Sequence, residues 1–216
     1  MLRSNQRPEL RLYIEGGGDS ADGKVRLRTG FSTFFREIRE ECAANDVRWN
    51  PVCAKGNTDT WKAFRNSVQT RAAAWSGVLI DADRTKSEIH GPLSGFFQNH
   101  PGGMAGLEES QCHLMIVKME AWFLADPDAL ESHFGKGFNR SALPLHKDLE
   151  LLTSQQVDSA LRGALRDLKQ RSYGKLHDGP KLLEAIDPAL VRKRAPNCDR
   201  LFRQLKETVS RLAKQR

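Results

Sequence analysis

Only 7% of this 216-residue chain is aromatic, and its four cysteines (Cys42, Cys53, Cys112, Cys198) include no CxxC pair. That scatter excludes a readable zinc ribbon or disulfide framework and suits a reducing compartment. No apolar run approaches the roughly 18 residues of a membrane span, and the opening MLRSNQRPELR has no apolar stretch of the signal-peptide kind. The expectation is a cytoplasmic protein that does not enter a membrane. Internal repeats and low-complexity tracts are absent, and the composition excludes a collagenous, coiled-coil or disordered chain. What is present is 39% hydrophobic and 28% charged residues. At this length folding removes roughly 70% of the unfolded surface from water, so a core forms without disulfide or metal staples.

The formal charge is +7, and the excess sits at one end. Residues 151–216 hold 15 basic and 7 acidic side chains, whereas residues 1–150 hold 19 against 20. A cationic tail of this kind attracts polyanions by its field and by counterion release, and nucleic acid is the commonest intracellular polyanion. The blander reading is a solvated helical face.

Leu10, Leu12 and Ile14 alternate with Arg11 and Tyr13, the period of a strand, and the run stops at Glu15-Gly16-Gly17-Gly18-Asp19. Phe31, Phe34, Phe35, Ile38 and Cys42 then fall at helical spacing. A second strand is expected within Val47 to Ala54, followed by a helix capped at Asn57 or Thr58 that carries Trp61, Phe64, Val68 and Ala72. Val78-Leu79-Ile80 reads as a buried strand ending at Asp81-Ala82-Asp83, and His113 to Val117 as another leading through Lys118 to Glu120 and Asp126. Between them, residues 84–112 are rich in Gly and Pro and read as a long surface excursion with one helical turn near Leu93 to Phe97. Later leucines mark three more helices, around Leu161, Leu182 and Leu205. Alternation of strand and helix predicts an α/β fold of Rossmann-like type, a mostly parallel open sheet flanked by helices. We place this unit at residues 1–135 and a basic helical extension packed on it at 136–216.

Ligands of such sheets bind beyond the carboxyl ends of the strands. Three strands here end in acid: Glu15 with Asp19, Asp81 with Asp83, and Glu120, with Asp126 one to two helical turns further on. Asp81 and Asp83 are two apart, so in extended backbone they share one side of the sheet. Gathered carboxylates need a compensating cation. Hard oxygen donors suit Mg²⁺ or Mn²⁺, and such ions clamp the attacking and leaving oxygens of a phosphodiester. The competing view is that each acid only caps the helix that follows it.

Glu15-Gly16-Gly17-Gly18-Asp19 followed by a strand ending in Asp81-Ala82-Asp83 resembles the Toprim domain of topoisomerases, primases and overcoming-lysogenization-defect nucleases. Together with Met119-Glu120-Ala121-Trp122-Phe123-Leu124-Ala125-Asp126 and the closing helices, the whole chain is similar to the bacterial family DUF 4276. That resemblance implies a divalent-metal-dependent nuclease, phage defence, and a neighbouring AAA-type ATPase as partner. It implies Glu15 as general acid, general base or metal ligand, and Asp19, Asp81 and Asp83 as metal ligands. Glu120 takes the place of the later acid and Lys118 that of a cation on the phosphate. The long excursion after Asp83 departs from the pattern, and no tyrosine sits in an obvious nucleophile position.

Two other readings compete. Gly18 to Lys24 is literally GxxxxGK after a strand, yet Val25 stands where a P-loop needs Ser or Thr, and Asp19 and Asp22 would repel phosphates. A catalytically inactive module that docks on nucleic acid or protein through its basic tail is the other. For nucleic-acid contact the candidates are Lys175, Lys181, Arg192, Lys193 and Arg194. The histidines (His90, His100, His113, His133, His146, His177) show no HExxH spacing and are given no metal role.

Overall fold

The computed structural model describes residues 7–89, 91–168 and 172–215. The reading of the extreme N-terminus rests on residues 1–6 and, like His90, lies outside the described residues.

Four strands form one sheet, β1 (Glu9–Glu15), β2 (Arg48–Ala54), β3 (Trp75–Asp81) and β4 (Cys112–Met115). Their order is β2-β1-β3-β4 and every pairing is parallel. The expected α/β class holds. β3 is buried along its whole length because it is central, which is why it reads as an unbroken apolar run instead of an alternating one. Gly77 within it leaves room for the Trp75 ring, which would lie 2.3 Å from any added Cβ.

Helices α1 (Ala21–Phe34) and α2 (Arg36–Ala44) connect β1 to β2, and α3 (Asn57–Gln69) connects β2 to β3. The single helix expected through Phe31 to Cys42 is broken at Phe35. The break lets successive phenylalanines both turn inward: Phe34 stacks on Trp122 at 5.1 Å, and Phe35 meets Trp49 and Phe202. The excursion after β3 contains α4 (Leu93–Phe97), held down where Trp61 stacks on Phe97 and donates to the Pro101 carbonyl.

Beyond β4 come α5 (Glu120–Phe123), α6 (Pro127–Phe134), α7 (Ser154–Leu165), α8 (Asp178–Ala185), α9 (Pro188–Arg194) and α10 (Pro196–Lys214). These are not a free appendage. Gly30 of α1 admits α8 so closely that a Cβ there would lie 2.6 Å from the Pro180 carbonyl oxygen. Leu201, Phe202, Leu205, Val209 and Leu212 of α10 are buried in the same core as the strands. α8 thereby brings the turn before it over the carboxyl end of the sheet.

Candidate active site

The chain leaves β1 for β2 on one side and later crosses to β3 on the other, so the seam between β1 and β3 is the point where the winding reverses. Loops diverge there and leave a crevice at the strand ends. Glu15 is the last residue of β1 and Asp81 the last of β3. The Asp81 backbone N–H donates to Glu15 Oε2 at 3.2 Å. Gly16, Gly17 and Gly18 follow Glu15 with φ of 123°, 95° and 63°, a left-handed path that side chains resist, and Ser20 caps α1 beside them.

Glu120 completes the group from another direction. β4 ends at Met115, so this acid opens α5 instead of ending a strand. The Met119 N–H donates to Asp81 Oδ1 at 2.9 Å and ties the start of α5 to the end of β3. Lys175, from the turn before α8, stands between the two acids, its Nζ 3.3 Å from Asp81 Oδ2 and 3.5 Å from Glu120 Oε1. The Tyr173 hydroxyl donates to the same Glu120 oxygen at 3.1 Å. The other one, Oε2, is buried with no hydrogen-bond partner among the described residues.

One ammonium does not neutralise this many carboxylates. Burial pushes the Asp81 carboxyl up to about 7, and repulsion from Glu120 and Glu15 adds to the rise that Lys175 opposes. Glu15 is raised too, first by burial and then by Asp83, against the Asp81 N–H that favours its ionised form. Burial pulls the Lys175 ammonium down, but Asp81 and Glu120 lift it net above an ordinary lysine. Burial and the neighbouring Glu120 carboxylate raise the Tyr173 phenol far enough that it stays a protonated donor.

Other expected residues are engaged differently. Asp83 does not continue the strand from Asp81: β3 stops at Asp81, and Asp83 turns into the left-handed region at φ 52° and is exposed, though its charge still reaches Glu15. There its N–H donates to the Val117 carbonyl, while Val117, itself at φ 65°, donates to Arg84. A buried β-branched residue at positive φ is rare strain, and here it locks the β3 and β4 ends together. Asp19 is exposed and pairs with Lys55 at 2.7 Å, Asp22 pairs with Arg26, and Lys118 binds Asp158 at 2.6 Å. Asp126 caps α6. Among the nucleic-acid candidates, Arg192 pairs with Glu37 and Asp199 and lies over the Phe202 ring. Arg194 donates to the carbonyls of Leu124, Pro144 and His146. Lys175 sits among the acids, Lys181 meets His177 at 3.2 Å, and Lys193 is exposed. Sequence reasoning gave no place in the site to Tyr173, which has no local signal, since it lies 53 residues from Glu120.

The family model of a domain of unknown function, DUF4276, matches residues 14–206. The chain belongs to this family. The DUF4276 match runs from the end of β1 to α10 and so takes in Glu15, Asp81, Glu120 and Lys175 together. No curated protein and no solved structure matches the chain.

A divalent cation can be weighed against this DUF4276 site. As placed, no three His, Cys, Asp or Glu side chains among the described residues stand close enough to share one ion. The donor chemistry nevertheless fits. Glu15, Asp81 and Glu120 offer hard oxygens, Lys175 already occupies a cation's position between two of them, and Glu120 Oε2 is an acceptor left over.

Proposed function

We propose that the protein is a Toprim-like, Mg²⁺- or Mn²⁺-dependent phosphodiesterase that cleaves nucleic acid in the cytoplasm, in bacterial phage defence beside an AAA-type ATPase. The cellular setting and the ATPase rest on the family resemblance. The chemistry rests on one observation: Glu15, Asp81 and Glu120 converge from separate chain segments at the winding reversal and keep less positive charge than they need.

Glu15, Asp81 and Glu120 would hold the cation, which supplies Lewis-acid polarisation of a phosphoryl oxygen and a more acidic bound water. The remaining work falls to the chain itself. The Met119 N–H fixes Asp81 Oδ1 and turns Oδ2 toward the site. Tyr173 orients Glu120 by occupying one oxygen. Lys175, half exposed on its four-carbon stem, takes the role of a cation for the phosphate that the resemblance gives to Lys118, which here pairs with Asp158.

The test is cleavage of labelled single- and double-stranded DNA and RNA with Mn²⁺, alongside melting curves. Wild type is expected to cut and to melt higher with Mn²⁺, and Asp81→Asn to lose both responses while remaining folded. Undiminished cleavage by Asp81→Asn overturns the reading. Failure of Mn²⁺ to move the wild-type melting temperature favours the inactive binding module, in which Lys175 is simply the permanent counter-ion of the acids.

A further inference from the structure

We infer that residues 172–178 form a strap that closes the acid site with its own cation, and that a divalent ion opens the site by displacing the Lys175 ammonium. This rests on the metal-binding reading above and adds a device that regulates it.

The base of the strap is anchored. The Asp178 N–H donates to the Gly174 carbonyl at 2.7 Å, and the Gly174 N–H donates to Asp178 Oδ2 at 2.8 Å. Asp178 Oδ1 is in turn 2.9 Å from His133 Nε2 on α6. The His177 N–H also donates to the Gly174 carbonyl at 3.0 Å, so the looseness of the tip lies in its contacts with the site it covers. The Lys175 contacts are long at 3.3 and 3.5 Å, its side chain is 49% exposed, and Leu176 rests over Gly18 with 55% of its surface in water. A firm base and a loose tip define a pivot.

Beneath the tip a narrow cavity of about 10 Å³ is lined by Glu15, Gly17, Asp81, Met119, Lys175 and Leu176. That is room for about one water. A hydrated divalent ion or a phosphodiester needs more room than that beneath the tip. Glu120, 4% exposed, points to what replaces the ammonium, because its Oε2 lacks a partner while Oε1 is bound by both Tyr173 and Lys175. A divalent charge compensates the three carboxylates better than one ammonium does, so the exchange favours opening.

Calorimetric titration of the full chain with Mn²⁺ tests the exchange, together with digestion by a lysine-specific protease and mass mapping of cleavage after Lys175. Lys175→Met is expected to bind Mn²⁺ about tenfold more tightly than wild type, the gain from losing a competing cation worth about 1.4 kcal/mol. Lys175→Arg, which keeps the charge, is expected to stay within about twofold of wild type on the same reasoning. In the wild-type chain Mn²⁺ is expected to speed cleavage after Lys175 several-fold. Equal affinities for wild type and Lys175→Met, with cleavage indifferent to Mn²⁺, overturn the strap and leave the metal site standing. Absence of Mn²⁺ binding in both proteins overturns the strap and the metal-binding reading together.

Discussion

The backbone N–H of Asp81 donates to the carboxylate of Glu15 at 3.2 Å, so the end of β3 steadies the end of β1 across the seam where the sheet reverses its winding. Glu15→Gln keeps an acceptor oxygen for that bond and removes only the charge. Its expected effect is a loss of Mn²⁺-dependent cleavage by about a hundred- to a thousandfold, the scale of removing one charge-stabilising group from an active site. Stability should change by less than about 1 kcal/mol, the net worth of one ordinary hydrogen bond. Retained cleavage, measured beside an unchanged urea midpoint, would remove Glu15 from the machinery.

Arg194 looked like part of a phosphate-binding triplet, but its guanidinium satisfies carbonyls of Leu124, Pro144 and His146 and joins the end of α9 to the loop before α7. Arg194→Ala leaves those acceptors unpaired and is expected to cost about 2–4 kcal/mol in urea unfolding. Lys193→Glu, on the exposed side of the same turn, is expected to cost less than about 0.5 kcal/mol. If the two variants unfold alike, Arg194 is a surface cation and regains its candidacy as a nucleic-acid contact.

Asp126 is a joint and stands apart from the acid site. Its Oδ1 accepts from the Ala129 N–H at 3.0 Å as the cap of α6, and its Oδ2 accepts from the Asp187 N–H at 2.9 Å just before α9. Both oxygens are therefore engaged in a residue only 6% exposed. Asp126→Ala strands two N–H donors and should lower stability by about 2–4 kcal/mol, with Asp126→Asn recovering part of the loss through its one carbonyl oxygen. A melting temperature indifferent to both substitutions would deny the joint.

The sheet was legible in the sequence because its strands carry strong local signals: alternation in Leu10 to Ile14 and a continuous apolar run at Val78 to Ile80. The glycine loop after Glu15 marked where the first strand stops, and parallel sheets turn such stops into a shared edge. Less legible was everything set by contacts distant in sequence. Asp81 and Asp83 share a DxD motif, yet the left-handed turn at Asp83 separates a buried residue from an exposed one. Lys175 lies 94 residues from Asp81 and reads locally as one more basic residue of a cationic tail. The same tail composition hid the arginines that bind carbonyls and acids within the fold, since charge counts do not distinguish an ion pair from a free cation.

His113 supplies a pH response separate from the acid site. It lies on β4 at 1% exposure, with Nδ1 3.2 Å from an Arg200 nitrogen and Nε2 without a partner among the described residues. Burial, and then the Arg200 cation, hold its pKa down to about 3 from an ordinary 6.5. The unfolded chain therefore binds a proton at this residue as pH falls below about 6.5, while the folded chain refuses it until about 3. Stability is complete above the upper value and is lost progressively toward the lower one, because the proton drives the equilibrium to the unfolded side. Each tenfold displacement of that equilibrium is worth about 1.4 kcal/mol, so the loss amounts to a few kcal/mol at most. Replacing His113 by Gln removes the titration but keeps an acceptor for Arg200, whose other bonds to the Cys112 and Glu109 carbonyls remain. Urea unfolding at pH 7, 5 and 4 is expected to show wild type falling more steeply than His113→Gln. Parallel curves would mean that the imidazole titrates alike in both states, and the burial argument for β4 would fail with it.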